Sequence, residues 1–249
     1  MFGLFRLSYL FYPWGFIVQL VALVHFFRRR PDGFWLWVIF FGGFLGALVY
    51  ILAEMLPDAQ LLRSTYQGYG RRSRIAAVEG AILDNPSAAN FEELGELYWD
   101  EKQYGKAREA FDRAIATRSD SAHSFYRRGL CLMTMGQAAE AAPDFERVMS
   151  ADARYDSYRA KLMLAVAYAA MGRAQDAAPL FAEVVQRSNT PETLYTYAAF
   201  LRSQNRSEEA REWARQLMQK KRTLPRYWQR IERPWFQKGQ ALLKELSAS

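Results

Sequence analysis

Few residues of this chain have the side chains that catalysis or metal binding requires. Its only histidines, His25 and His123, are far apart in the sequence, and Cys131 is the single cysteine. A lone cysteine cannot close an internal disulfide or complete a multi-cysteine metal or redox motif. No phosphate-binding loop with a following lysine, no His-Glu-x-x-His motif and no nucleophile elbow is present. We therefore predict that the protein is not an enzyme and has no catalytic residue, cofactor or metal.

A pair of carboxylates, Glu92 and Glu96, is the best remaining candidate for a functional cluster. Their i, i+4 spacing places both on one face of a helix. An ordinary solvated helix face accounts for such a pair, and so does a binding surface. An enzyme of unrecognised type that uses these carboxylates is a third alternative. The elements that position the two residues decide between these interpretations.

Charge and composition exclude some classes of partner. The net charge is +7, but residues 58–249 carry 29 basic and 24 acidic side chains, so the charge there is mixed. A nucleic-acid-binding domain would concentrate basic charge on one face. We predict no nucleic-acid partner.

Two charge-free apolar runs stand at the N-terminus, at residues 7–27 and 34–53. Each contains twelve Leu, Ile, Val or Phe residues and has the length of a membrane-spanning helix. A cleaved signal peptide is the alternative for the first run, but it ends in "FFRRRPDG" and offers no A-x-A-like cleavage site. The short basic loop between the runs predicts an antiparallel transmembrane hairpin, with membrane lipid as one partner.

The second run contains "GGFLG", which places Gly42 and Gly46 on one helix face. Small residues at this spacing allow a neighbouring backbone to approach closely. Packing against the first helix and homo-oligomerisation through this face are both open. The stretch "RRRPDGFWLWVIFFGGFLGALVYIL" resembles the N-terminal membrane segment of cardiolipin synthases and related phospholipase D-type proteins. The His-x-Lys catalytic motifs of those enzymes are absent, so the resemblance concerns the anchor alone.

A repeated pattern of small and aromatic residues occupies the rest of the chain. The stretch "LGELYWDEKQYGKAREAFDRA" is echoed downstream by "RGLCLMTMGQAAEAAPDFERV" at the same offsets. With Ala88 as position 1 of a 34-residue unit, this pattern resembles the tetratricopeptide repeat. A two-residue insertion precedes the third copy, and the fourth copy is degenerate. The repeat-structural residues are Gly95, Tyr98, Ala107, Phe111, Gly129, Ala141, Phe145, Ala165, Tyr168, Ala177, Phe181, Ala198 and Ala210.

The physics of a helix pair explains these offsets. Small residues at positions 8 and 20 lie where the two helices cross, because a larger side chain would separate the axes. Aromatic rings at positions 4, 11 and 24 fill the space between one pair and the next. Gly136, Gly172 and Asn205, five residues before the second helix's alanine, suit a helix-ending turn with positive φ.

We predict an all-α fold with an N-terminal transmembrane helical hairpin followed by an α-solenoid of tetratricopeptide repeats. A capping helix and two short C-terminal helices broken at Pro234 should close the array, with Trp228, Trp235 and Phe236 in the core of the cap. The predicted segments are a membrane anchor at 1–57, a basic tether at 58–74, a capping helix at 75–87, four repeats at 88–121, 122–155, 158–190 and 191–224, and C-terminal caps at 225–249.

The resemblance to tetratricopeptide repeats also implies a binding surface. In that family the first helix of each unit lines a concave groove that binds extended or helical peptides. The groove would be acidic at its start, aromatic and apolar in its middle and basic near its end. The residues at the family's groove-facing positions are Glu92, Glu96, Trp99, Asp100, His123, Tyr126, Met133, Arg159, Tyr195 and Arg202, together with Leu130 and Leu162.

These features predict a bacterial membrane-anchored scaffold that recruits protein or peptide partners. An accessory subunit of a lipid- or envelope-synthesising enzyme is the alternative that the hairpin raises. Three arginines lie between the two spans and five flank them, a balance that favours cytoplasmic termini at the bacterial inner membrane. The three are Arg28, Arg29 and Arg30, and the five are Arg6, Arg63, Arg71, Arg72 and Arg74.

Overall fold

A computed structural model describes the backbone of residues 4–29, 32–118 and 120–248, and the side chains of 15–28, 32–54, 70–118 and 120–247. Every regular element in this part of the chain is helical. The chain divides into two compact units, Met1–Arg74 and Ile75–Ser249. The side chains of Arg6, Arg29, Arg30 and Arg63, on which the predicted membrane orientation partly rests, lie outside the described residues.

In the described part of the chain, the first unit begins with three helices, and the chain reverses direction between the second and the third. Helix α1 (Leu4–Arg29) covers the first predicted span and packs against α2 (Phe34–Phe41) and α3 (Gly43–Tyr50). A π-helical turn, Ile51–Met55, follows α3. The small core of this unit contains Ala22, Phe26, Ile39, Ala47 and Tyr50.

The second predicted span is broken at Gly42 and Gly43. Gly43 has φ +53°, a conformation that interrupts an α-helix and favours glycine. Gly42 and Gly46 lie against each other and against the carbonyl of Val38, so that a Cβ on Gly46 would overlap that oxygen. The glycines thus let the backbone of α2 approach α3 closely, whereas the sequence predicted contact with α1 or with a second copy of the chain at this face.

No helix in the described residues is both long enough and apolar enough to cross a lipid bilayer. The transmembrane hairpin remains a prediction.

Helix α4 (Leu56–Asp84) runs without a break through the predicted tether and capping helix. In its last turns Val78 is buried with Leu94, Tyr98 and Phe111 of the first repeat. Tyr98 donates a hydrogen bond to Glu79 Oε1 (2.6 Å). Burial of the Tyr98 hydroxyl and its bond to Glu79 raise its pKa to about 12.

Four helix pairs follow. They are α5 (Ala88–Asp100) with α6 (Tyr104–Thr117), α7 (Ala122–Thr134) with α8 (Ala138–Ala151), α9 (Arg159–Ala170) with α10 (Ala174–Arg187), and α11 (Pro191–Ser203) with α12 (Ser207–Thr223). Ser87, Ser121 and Thr190 cap α5, α7 and α11 by accepting a backbone N–H bond. Each cap supplies an acceptor for an N–H group that has no partner inside its helix.

At the helix crossings the glycine at position 8 lies against the ring at position 24 of the same pair, whereas the sequence-based prediction placed that ring between one pair and the next. A Cβ on Gly95 would lie 2.6 Å from the ring of Phe111, and a Cβ on Gly129 would lie 2.8 Å from the ring of Phe145. Both rings are fully buried. The glycines are therefore required by close approach at the crossing.

The turns inside the helix pairs confirm the predicted positive φ. Gly136, Gly172 and Asn205 have φ of 78°, 77° and 60°. In each pair the next residue's N–H bonds back to the first helix, as in a Schellman turn. The first pair makes the same turn with Lys102 at φ 59°, a residue whose type gave no indication of it.

Two helices close the chain, α13 (Arg226–Ile231) and α14 (Arg233–Ala248). Pro234 lies in the first turn of α14, where its missing N–H costs no hydrogen bond. Phe236 is buried in the core of the last repeat and Trp235 is half-buried. Trp228 is 49% exposed, so the prediction that it belongs to the core of the cap is wrong.

Candidate functional site

The predicted groove residues lie on the first helices of the four pairs, α5, α7, α9 and α11. Many of these side chains contact residues of a neighbouring repeat or of the C-terminal helix. Their contacts decide which part of the predicted surface is left for a partner.

The two carboxylates of α5 bind residues at the start of α7. Glu92 Oε1 accepts hydrogen bonds from the hydroxyls of Ser121 and Ser124, both at 2.5 Å. Glu96 contacts His123 Nε2 at 3.1 Å and accepts a bond from Arg127. These contacts join the first two repeats and offset the acidic charge predicted at the start of the groove.

The pKa of Glu96 reflects two opposing effects. Burial favours the neutral acid, but the hydrogen bonds from His123 and Arg127 and the positive charge of Arg127 outweigh burial. The pKa of Glu96 is therefore below its ordinary value, and the carboxylate is ionised near neutral pH.

A guanidinium group and a second aromatic ring contact the indole ring of Trp99. The guanidinium of Arg127 lies 4.7 Å from the Trp99 ring centroid, at a distance suited to a cation–π contact. Tyr104 packs edge-on against the same ring, with the centroids 5.1 Å apart. Trp99 is half-buried and Asp100 beside it is exposed. One arginine thus binds both Glu96 and Trp99.

The insertion between repeats two and three bridges those repeats. Asp156, Ser157 and Tyr158 all have positive φ, from 49° to 71°. Asp156 Oδ2 accepts a hydrogen bond from the hydroxyl of Tyr126 (3.0 Å), and the Tyr155 ring lies 5.0 Å from the Tyr126 ring. Burial is the main cause of the raised pKa of Tyr126. The insertion therefore places the carboxylate of Asp156 against α7, beside the ring of Tyr155 at the end of repeat two.

The basic residues farther along the groove are also paired. Arg159 Nε lies 2.9 Å from Glu192 Oε2, and Arg202 forms an ion pair with Glu245 of α14. The ring of Tyr195 lies 5.7 Å from that of Trp235. Lys238 lies over both rings. Helix α14 therefore covers the basic end of the predicted surface.

An apolar column remains between these polar contacts. Leu130 and Leu162 are buried in the core and cannot serve as contact residues in this conformation. Met133, Val166, Ala169 and Ala199, at positions 9 and 12 of their repeats, are half-buried. Three of them also pack against the core of the repeats, and we call these four half-buried apolar positions of the predicted groove the apolar column.

Sequence reasoning identified one member of most of these contacts and missed the other. Arg127, Tyr155, Asp156 and Glu192 were not among the predicted groove residues, yet each pairs with one that was. A usable signal exists: Glu96 and Arg127 are 31 residues apart, and Arg159 and Glu192 are 33 apart. Opposite charges about one repeat apart fall on adjacent first helices.

The family comparison concerns the repeats and the end of helix α4. The Tetratricopeptide repeat family profile matches residues 69–123, 92–148, 126–192 and 162–225. No curated protein matches the chain. Nothing in these comparisons supports the resemblance of the hairpin to cardiolipin synthases.

Several solved structures share the fold. MamA from Desulfovibrio magneticus RS-1 is 19% identical, with a TM-score of 0.58 over 67% of this chain and 96% of that one. PilW, described as a widely conserved type IV pilus biogenesis factor, is 20% identical, with a TM-score of 0.57 over 79% of this chain and 92% of that one. YrrB, described as a TPR protein with an unusual peptide-binding site, is 21% identical, with a TM-score of 0.53 over 65% and 81%.

Because these solved structures are at most 21% identical to this chain, their similarity to it shows the fold alone. The matches to the family profile, by contrast, extend over more than half of the chain in four overlapping copies. The sequence offsets, the helix pairs and the profile agree on one period. The chain belongs to the tetratricopeptide repeat family.

Proposed function

We propose that this protein is a membrane-anchored scaffold that binds a peptide segment of a partner protein along the apolar column. The single observation that carries the proposal is the column itself, Met133, Val166, Ala169 and Ala199. These four side chains from three successive repeats are half-buried between polar contacts that are already paired. A partner could remove them from water without breaking an ion pair.

The chemistry of the column favours an apolar peptide. Burial of apolar surface contributes about 25 cal/mol per Å², and the small side chains of Ala169 and Ala199 leave room for larger partner residues. The peptide-binding site ascribed to YrrB shows that this fold can carry such a function. Terminal-carboxylate clamps made of lysine and asparagine are not present at the groove positions, so an internal segment is the preferred ligand.

Photo-crosslinking in the full-length chain tests the groove. A benzophenone amino acid at Met133 should give a discrete adduct with a partner, and the same group at exposed Gln186 on α10 should not. Ala199→Glu should abolish the Met133 adduct by introducing a charge into the column, without lowering the thermal midpoint. No adduct at Met133, or an adduct that persists in Ala199→Glu, would refute the groove proposal.

The anchor is supported by the exposed apolar side chains of the first unit. Phe34, Trp37, Phe40 and Phe41 of α2 are each more than 60% exposed, and Phe16, Leu20, Val24 and Phe27 of α1 are also exposed. Water-exposed apolar surface of this extent marks a membrane or protein contact. Lipid is the proposed contact because α2 consists entirely of apolar residues.

Alkaline carbonate extraction tests the anchor. The wild-type chain should stay in the membrane pellet, and replacing Phe34, Trp37, Phe40 and Phe41 together with serine should release it. Release of the wild-type chain would contradict anchoring.

The side of the membrane is tested with Ser247→Cys and a membrane-impermeant maleimide. Cys131 will not compete, because it is fully buried and burial raises the pKa of its thiol to about 12. Labelling in inverted vesicles and not in spheroplasts is expected for a cytoplasmic repeat domain. The reverse pattern would place it on the other side.

A further inference from the structure

The end of the last repeat carries a cluster of basic and aromatic residues that the proposed groove does not use. Residues 220–233 contain six basic residues and one acidic residue, Glu232. The basic residues are Lys220, Lys221, Arg222, Arg226, Arg230 and Arg233. We call this segment the basic aromatic patch.

Helix α13 lies in the middle of the patch and has no buried residue, although it contains Tyr227, Trp228 and Ile231. Tyr227 is 51% exposed and Trp228 is 49% exposed, and their rings pack edge to face with centroids 5.7 Å apart. These two adjacent rings do not stabilise the core, and an exposed aromatic pair of this kind indicates a contact surface.

We propose that the basic aromatic patch docks on the anionic headgroups of a lipid bilayer. Tyr and Trp are enriched at the membrane–water interface, where their rings reach the acyl boundary and their polar groups stay in the headgroup layer. Lysine and arginine beside them gain about 1 kcal/mol each near an anionic leaflet. Both residue types that an anionic interface selects occur together in this segment.

The distribution of charge favours lipid over nucleic acid. The excess of basic charge lies in residues 220–233, whereas residues 206–215 before it carry three acidic and three basic side chains. A nucleic-acid surface would extend the basic charge along the array. The patch instead has the short, locally basic and aromatic character of an interfacial segment.

The inference deepens the proposed membrane anchoring but uses different residues, so the two can fail separately. The test uses the full-length chain in lipid nanodiscs, with an environment-sensitive NBD fluorophore on Thr223→Cys inside the patch. The same fluorophore on Gln186→Cys, an exposed position of α10, is the control. Failure of the chain to enter discs of any composition would refute the anchor, and charge-dependent flotation with anionic vesicles would then still report on the patch.

In discs that contain phosphatidylglycerol, NBD at position 223 should brighten and shift to the blue relative to discs of phosphatidylcholine alone. Each neutralised cation, Lys220→Gln or Arg222→Gln, should lower the ratio of docked to undocked protein about 5-fold. Arg187→Gln on α10 should leave that ratio unchanged. Because Trp228 is exposed, Trp228→Ala should reduce docking without lowering the thermal midpoint.

Equal NBD emission in neutral and anionic discs would overturn the proposal, and so would an equal response at position 186. A response to added RNA or polyglutamate that exceeds the response to phosphatidylglycerol would also overturn it, in favour of a polyanion site.

Discussion

At the scale of single residues, the first two helix pairs depend on contact between a glycine and a ring. Gly95 meets Phe111 and Gly129 meets Phe145, at distances that leave no room for a Cβ. The third pair has Ala165 and fully buried Phe181 at the same two positions. A close-packed crossing cannot absorb added volume without moving a helix.

Gly129→Leu should therefore destabilise the array by about 3 kcal/mol through overpacking against Phe145. Chemical denaturation followed by circular dichroism measures the change in the free energy of unfolding. Gly105→Leu is the matched control: a Cβ at Gly105 meets nothing within 4 Å, and leucine in a helix is favoured over glycine by about 0.8 kcal/mol. Equal effects of the two substitutions would show that the crossing is not tightly packed.

Lys102 and Asn205 are the two non-glycine members of the turn set, and Lys102 has φ 59° and an exposed side chain. Lys102→Gly should stabilise the protein by about 0.5–1 kcal/mol, because the left-handed conformation costs a residue with a Cβ more than it costs glycine. Lys106→Gly, inside α6, should have the opposite effect by about 1 kcal/mol. Thermal unfolding of both variants decides the sign, and a loss of stability in Lys102→Gly would contradict the strain argument.

At the scale of helices, polar contacts between successive first helices align the array. Glu92 and Glu96 connect α5 to α7, Asp156 connects the insertion to α7, and Arg159 connects α9 to α11. The helix pairs themselves could be predicted, because the small and aromatic residues recur with the period of the contacts inside each repeat. The ion pairs and hydrogen bonds between repeats could not, because several charged residues on each helix could reach more than one partner.

The depressed pKa of Glu96 predicts a pH dependence of stability. A group whose native pKa is lowered contributes stability that is present above its unfolded pKa of about 4.5 and is lost as the pH falls through the native value. Glu96→Gln should therefore lower the thermal midpoint at neutral pH and reduce its fall on acidification below about pH 4.5. Glu140→Gln, a substitution on α8, serves as the control. A wild-type acid profile in Glu96→Gln would refute the role of this carboxylate.

At the scale of the whole repeat domain, α14 serves as the closing helix. It packs on α11 and α12, where Phe236, Leu242 and Leu246 join the core of the last repeats. A Cβ on Gly239 would come within 2.5 Å of a terminal methyl group of Leu217, so α14 and α12 approach closely here as well. A terminal repeat needs a capping helix, because each repeat is stabilised mainly by its neighbours and the last one has a neighbour on one side only.

Ending the chain after Glu232 should consequently destabilise the last repeat first. Hydrogen exchange should show lost protection in α11 and α12, while α7 and α8 stay protected, because stability in a repeat array is nearly a sum of local terms. Removal of residues 248–249 alone is the control. Uniform loss of protection along all four pairs would indicate a single cooperative unit and contradict this expectation.

The sequence by itself determined the repeat register, the helix pairs and three of the four positive-φ turns. These features follow from contacts at a fixed separation along the chain, so a period in residue type is enough to reveal them. Only the tertiary structure decided that the second apolar run bends at Gly43, that Arg127 contacts both Glu96 and Trp99, and that Trp228 lies outside the core of the cap. Those outcomes depend on how neighbouring helices are oriented, and residue type alone leaves several orientations close in energy.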